Sequence, residues 1–132
     1  MSGGLITTNG KKILLNRGYS ASPDLTAPTK FKIGTATVEA TVSDTDLGSA
    51  VVISGTDYVK SFETNYPAFD YNSMTSTIRV RLNTLEANGN ALTEVGMFNT
   101  DGTPLMESRD LFTAISKTTS DELIFEVVTT VL

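Results

Sequence analysis

The sequence predicts a mainly β protein, an antiparallel β-sandwich with one short N-terminal helix, folded as a single domain over residues 1–132. Three observations carry that reading. Thr75–Leu82 alternates with period two, with Ile78, Val80 and Leu82 on one side and Thr77, Arg79 and Arg81 on the other. One buried and one wet face is the signature of an antiparallel sheet. Asn99-Thr100-Asp101-Gly102 separates two apolar runs, and Asp-Gly in that position is a strong hairpin signal because glycine accepts the positive φ of a tight reversal. Short apolar runs recur between turn residues along all 132 residues, with no repeat, low-complexity tract or linker to divide them.

In chain order, residues 5–19 read as the one helix. Thr8 or Asn9 can cap it, Ile13, Leu14 and Leu15 form an apolar patch, and Gly18 sits where helices commonly stop. Gly10 weakens its first turn. Ser20–Pro28, with Pro23 and Pro28, is a loop. Lys30-Phe31-Lys32-Ile33 is a short strand with Phe31 and Ile33 inward, and Ser43–Gly48 reads as a capped helical turn with Leu47 tucked in. Val51-Val52-Ile53 is an apolar run closed by Ser54-Gly55. Tyr58, Lys60, Phe62, Thr64 and Tyr66 share one strand face, and Pro67 ends that run. After a turn at Glu86–Asn90, the stretch Ala91–Val131 forms the main sheet. Its last strand, Glu122–Val131, places Leu123, Phe125, Val127 and Val131 on one side and Ile124, Val128 and Leu132 on the other, which predicts a strand covered on both faces.

Composition narrows the chemistry. There is no Cys and no His, which removes disulfides, thiol catalysis, the usual general base and the usual zinc ligand. No run approaches the ~20 apolar residues of a membrane span, and the Met1–Thr8 segment lacks the basic and apolar regions of a secretory signal. The net charge of −5 argues against a nucleic-acid partner, whose phosphates need clustered Lys and Arg. The charge is uneven. Residues 1–37 hold Lys11, Lys12, Arg17, Lys30 and Lys32 against Asp24, a net +4, whereas residues 38–132 hold five basic and fourteen acidic residues, a net −9.

Candidate acid–base pairs, Glu107 with Asp110 and Asp121 with Glu122, lie in turns or at strand starts and lack supporting groups. Asp44-x-Asp46 and Asn99-x-Asp101-Gly102 lack the later glutamate of a calcium loop, so capping and turn roles fit them better. The sequence therefore assigns no catalytic residue, cofactor or metal ligand. Glu94, inside an apolar strand, needs a charged or backbone partner, and Arg79 or Arg81 on a neighbouring strand is the natural one. Its truncation is expected to cost about 1–3 kcal/mol. Gly96 implies a bulge or the close approach of another backbone. Lys117-Thr118 serves either partner recognition or a turn. Tyr58, Tyr66, Phe69 and Tyr71 cluster around Pro67 and either cap the core or form an interface patch.

Leu92-Thr93-Glu94-Val95-Gly96-Met97-Phe98, the Asp101-Gly102 turn, Leu111–Thr118 and Asp121–Val127 together resemble bacteriophage tail-fibre and baseplate-type structural proteins. Leu5–Leu14, Lys30–Thr35 and Val42–Leu47 are similar to earlier blocks of that family, so the resemblance touches most of the chain. It implies a non-catalytic virion protein of the tail region that works by self-assembly and by docking to other virion structural proteins. Relatives often carry such a domain as the anchor of a long fibre. Here Leu132 follows directly on a strand with no shaft, which favours an adaptor. A capsid decoration protein and a carbohydrate-binding module for a host glycan are the alternatives. The interface expected on this reading combines Lys11 and Lys12 with an apolar centre drawn from Ile13 and Leu14 or from Tyr66, Phe69 and Tyr71, in a homo-oligomer joined through unlike charges.

Overall fold

A computed structural model describes residues 4–131. The elements run β1 (Leu5–Ile6), α1 (Thr8–Tyr19), β2 (Lys30–Gly34), β3 (Lys60–Ser61), β4 (Ala68–Asp70), β5 (Thr75–Leu82), β6 (Ala91–Phe98), β7 (Met106–Ser116) and β8 (Leu123–Thr130). They form two antiparallel sheets, five strands in the order β1-β7-β6-β2-β3 and three in the order β4-β5-β8. Between them lies the core: Phe31 and Ile33 of β2, Leu92, Val95 and Met97 of β6, Ile78, Val80 and Leu82 of β5, and Phe125 and Val127 of β8. Each is at most 7% exposed, and burial of each large aliphatic or aromatic side chain contributes about 1.5–3 kcal/mol. The mainly β sandwich with one helix is as the periodicity predicts, and β5 has the residues and inward face assigned to it.

The large sheet is covered on its outer face as well. Leu47 packs there with Phe98 and Met106, so β6 is buried from Leu92 to Phe98. A Cβ on Gly96 would meet Leu47 Cδ2 at 2.8 Å and Met106 Sδ at 3.0 Å. Gly96 thus makes room for the side chains of Leu47 in the covering segment and Met106 of β7, not for another backbone. The bulges of this hairpin fall instead between Leu92 and Glu94 and between Met97 and Phe98.

Helix α1 is shorter than the expected 5–19, because Leu5–Ile6 form β1 against β7, and its cap lies one residue before the expected Thr8 or Asn9. Thr7 is the N-cap, its Oγ1 accepting from the Gly10 amide at 3.0 Å and donating to the Met106 carbonyl. The helix is fastened to β7 at its first turn, where a Cβ on Gly10 would lie 2.1 Å from the Glu107 carbonyl oxygen. Gly10, unfavourable for an isolated helix, is what lets this one touch the strand. Gly18 lies inside the helix, which ends at Tyr19. Of the apolar patch, Ile13 is buried while Leu14 and Leu15 are more than half exposed.

Other expectations are corrected. Strand β8 does not join the hairpin of β6 and β7 but pairs with β5 in the opposite sheet, where Phe125 meets Phe112 of β7 with ring centroids 5.0 Å apart. It is covered on one face only. Ile124 is 48% exposed on the other, and Leu132, assigned to that outer face, lies outside the described residues, as do Met1, Ser2 and Gly3. Ser43–Gly48 holds no helix. Asp44 instead closes a turn by accepting from the Thr41 amide, while Leu47 is buried as expected. The Tyr58–Tyr66 strand contracts to Lys60–Ser61, and Pro67 precedes β4. The β6–β7 reversal is a longer loop over residues 99–105, closed by the Asn99 amide on the Leu105 carbonyl and by the Leu105 amide on Asn99 Oδ1. Positive φ occurs at Gly55 and Gly89, and not at Gly102.

A candidate docking groove and a buried ion-pair cluster

Two apolar surfaces, far apart in sequence, meet at one end of the sandwich. Ile13, Leu14, Arg17 and Gly18 of α1 form one wall of a groove of about 990 Å³. Phe69 of β4, Tyr71 and Met74 of the following turn, and Thr75, Ser76 and Ile78 of β5 form the other, with Thr129 to Val131 continuing it. Ala27, Pro28 and Pro67 line it from the loops, Ile6 from β1 and Glu107 from β7. The pairing explains why the wall is open. Phe69 stands opposite Ser76, on the same face of its sheet as the core residues Ile78 and Val80, but beyond the reach of the large sheet. A core-facing position without a core opposite it leaves apolar surface in water. Phe69 is 60% exposed and Tyr71 75%, their rings stacked 2° from parallel at 6.1 Å.

The two alternatives for an apolar centre, Ile13 and Leu14 or the aromatics, are therefore opposite walls of one site. Tyr66 is not part of it, since its ring lies under the Arg79 guanidinium at 4.9 Å. Lys11 and Lys12 are exposed on α1. At 100° per residue Lys11 falls beside Gly18 at the groove margin, and Lys12 on the outward side of the helix. Composition alone did not mark Met74, which holds a left-handed conformation at φ 54° on the groove rim. Nor did it separate Glu107 from Asp110. Glu107 faces the groove, where burial pushes its carboxyl up from the ordinary range with no opposing bond. Asp110 sits by Gly4, whose amide it accepts, and burial pushes it up to about 6. Its Oδ2 has no partner among the described residues.

Glu94 is fully buried, but Arg79 and Arg81 are not its partners. Arg79 pairs with Glu126 at 3.4 Å, and Arg81 with Glu63 and Glu122, all on the outer face of the small sheet. The cation that reaches Glu94 is Arg109, whose Nε donates to Oε1 at 2.9 Å. Gly48 also donates to Oε1, at 3.0 Å, while Ala36 and Ser49 donate to Oε2 at 3.0 and 2.8 Å. The guanidinium continues to Asp44 Oδ2 at 3.1 Å and the Val38 carbonyl at 2.8 Å. Asp44 is held below the usual carboxylate range, first by the Thr41 amide. This cluster staples the segment 36–49 to the outer face of the large sheet. The hairpin carried a signal for it, because Arg109 stands opposite Gly96, two residues from Glu94.

The remaining candidates have structural roles. Asp101 accepts from the Thr26 amide at 3.1 Å and from Asn99 Nδ2 at 2.8 Å, tying the hairpin loop to residues after α1. Asp46 pairs with Lys32, away from Asp44. Asp121 caps a turn through Thr118, which holds it low, while Glu122 is engaged by Arg81. Lys117 is buried, donating to Asn88 Oδ1 at 2.7 Å and the Thr118 carbonyl at 3.0 Å, so that residue braces two turns. Among the described residues no three His, Cys, Asp or Glu side chains are grouped to hold a metal ion, and no helix is long and apolar enough to cross a membrane. Comparison with protein-family models, curated proteins and solved structures returned no match.

Proposed function

We propose that this chain is a non-catalytic structural protein of a bacteriophage virion, an adaptor in the tail, baseplate or fibre-attachment region that assembles with copies of itself and docks other virion proteins. The observation that carries this reading is the groove. Ile13 and Leu14 on one wall and Phe69, Tyr71 and Met74 on the other leave an exposed apolar cleft of the kind that marks interaction sites. The sequence resemblance supplies the setting. Six of the carboxylates singled out in the sequence support the reading too, because Glu94, Asp44, Asp46, Asp101, Asp121 and Glu122 are each engaged in turns or ion pairs, whereas Glu107 and Asp110 are in no ion pair among the described residues. Contact between copies is assigned to Lys11 and Lys12 against the acidic remainder of a neighbour, where unlike patches join head to tail and charge speeds and orients the encounter.

The test is particle assembly with groove variants. Phe69→Glu, and Met74→Gly, which removes an apolar side chain at a position whose φ suits glycine, should leave the monomer folded but lower the chain's incorporation into particles. Normal incorporation of both variants refutes the groove as the docking surface. The stacked, exposed Phe69 and Tyr71 rings favour one second reading, a platform for a host sugar. Retention on immobilised glycans, lost with Tyr71→Ala, would select that reading instead.

A further inference from the structure

Glu107 is a carboxylate set in an apolar groove, and filling the groove would strip its remaining water. An occupant made only of apolar groups would leave that charge without solvent or partner, which is costly. We infer that the groove receives a segment of a different polypeptide, one whose apolar side chains lie between Ile13 and Phe69 and whose lysine or arginine comes to rest on Glu107. This deepens, and rests on, the reading of the groove as a docking surface.

The source of the cation follows from the chain's own charges. Every basic residue after position 37 is already bonded within the chain: Lys60 to Glu86, Arg79 to Glu126, Arg81 to Glu63 and Glu122, Arg109 to Glu94 and Asp44, and Lys117 to Asn88. That larger part of the chain, with its net −9, has no unbonded cation to offer a neighbour's groove. The exposed Lys11 and Lys12 are assigned above to the contact between copies, and their entry into the groove is the competing outcome that the test below separates. Arg17, on the groove wall, donates to the Leu25 carbonyl at 2.9 Å and makes no ion pair with Glu107. A basic segment from another protein meets both demands, since the acidic body attracts it and Glu107 fixes its register. Met74 fits the same picture. A non-glycine residue held at φ 54° beside a groove is local strain placed where an apolar contact is presented.

A random 12-residue peptide library selected against the full chain tests this. Enriched sequences should combine apolar residues with Lys or Arg, and a selected peptide should lose binding to Phe69→Glu. It should bind Glu107→Gln about ten-fold more weakly than the unaltered protein. Changing the peptide's basic residue to Gln should weaken binding to the unaltered protein but not to Glu107→Gln, with circular dichroism confirming that each variant folds. Groove-dependent peptides that lack a basic residue, or that ignore Glu107→Gln, overturn the inference while leaving the docking surface intact. Peptides indifferent to Phe69→Glu and Met74→Gly, or no enrichment at all, overturn both. Self-association abolished by Glu107→Gln as well as by changing Lys11 and Lys12 to Glu would make the occupant a second copy and overturn the inference as well.

Discussion

Replacing Glu94 with alanine removes the acceptor of four hydrogen bonds at a site with no exposed surface: Arg109 Nε and the amides of Ala36, Gly48 and Ser49. A buried donor left unsatisfied costs about 1–3 kcal/mol, and breaking a buried ion pair from one side about 3–5 kcal/mol. These costs overlap, because segment 36–49 can lift and admit water to the freed amides. Arg109 cannot leave so easily, being 4% exposed and still bonded to Asp44 and Val38. The net loss is set at about 4 kcal/mol, above the 1–3 kcal/mol expected for a single arginine partner and a large part of a typical domain's 5–15 kcal/mol. In urea, with a slope of about 1.5 kcal/mol per molar, the midpoint should fall by roughly 2–3 M. Hydrogen exchange should show protection lost first at Ala36, Gly48 and Ser49. Glu94→Gln, keeping one carbonyl oxygen, should lose about half as much. A drop below about 1 kcal/mol for Glu94→Ala would refute the assignment of this cluster as the clamp on the segment.

Four further outcomes can be measured. Gly34→Ala would set a Cβ 2.5 Å from both Glu94 Oε2 and the Ser49 carbonyl oxygen, and should destabilise by about 2–4 kcal/mol in a denaturant titration; a neutral effect would mean the segment 36–49 yields freely. Asp110, raised to about 6 by burial, contributes stability that is fully present below its unfolded value of 3.8 and lost as pH rises through about 6. Asp110→Asn should therefore stabilise the protein by about 1–2 kcal/mol at pH 8, after allowing for its partial exposure, and by little at pH 4; equal effects at both values would contradict this origin. Deleting residues 122–132 removes Phe125 and Val127 from the core and the β8 ladder from β5, and should abolish cooperative folding, whereas a soluble, cooperatively melting monomer would show that β8 is dispensable. Changing Lys11 and Lys12 to Glu should slow association seen by light scattering, as should salt, which screens exposed charges beyond about 8–10 Å, without altering the monomer's melting; unchanged association would remove α1 from the interface between copies.

What the amino-acid sequence determined by itself is the local pattern. The alternation in Thr75–Leu82, the apolar faces of Lys30–Gly34 and Ala91–Phe98, and the presence of one helix within residues 5–19 follow from the period of side chains along the backbone, which neighbours along the chain settle; the helix's start at Thr8 and its cap at Thr7 do not, because Leu5–Ile6 pair with β7. It also showed that a carboxylate inside Ala91–Phe98 must be bonded. It did not determine which arginine bonds it, because Arg79, Arg81 and Arg109 are chemically alike and only strand order separates them: β7 lies beside β6 in one sheet, whereas β5 belongs to the other. Strand β8 was misassigned for the same reason, since pairing is a long-range choice made where Phe125 can bury against Phe112. Gly10 read locally as a weak point and Gly96 as a bulge or close approach, and Gly34 merely ended a strand, yet each is fixed by what approaches it from a distant segment: the Glu107 carbonyl, Leu47 and the Ser49 carbonyl, respectively. The groove is wholly tertiary. Ile13 and Leu14 are more than fifty residues from Phe69 and Tyr71, and their meeting depends on α1 being fastened to β7 while the end of the small sheet runs past the large one.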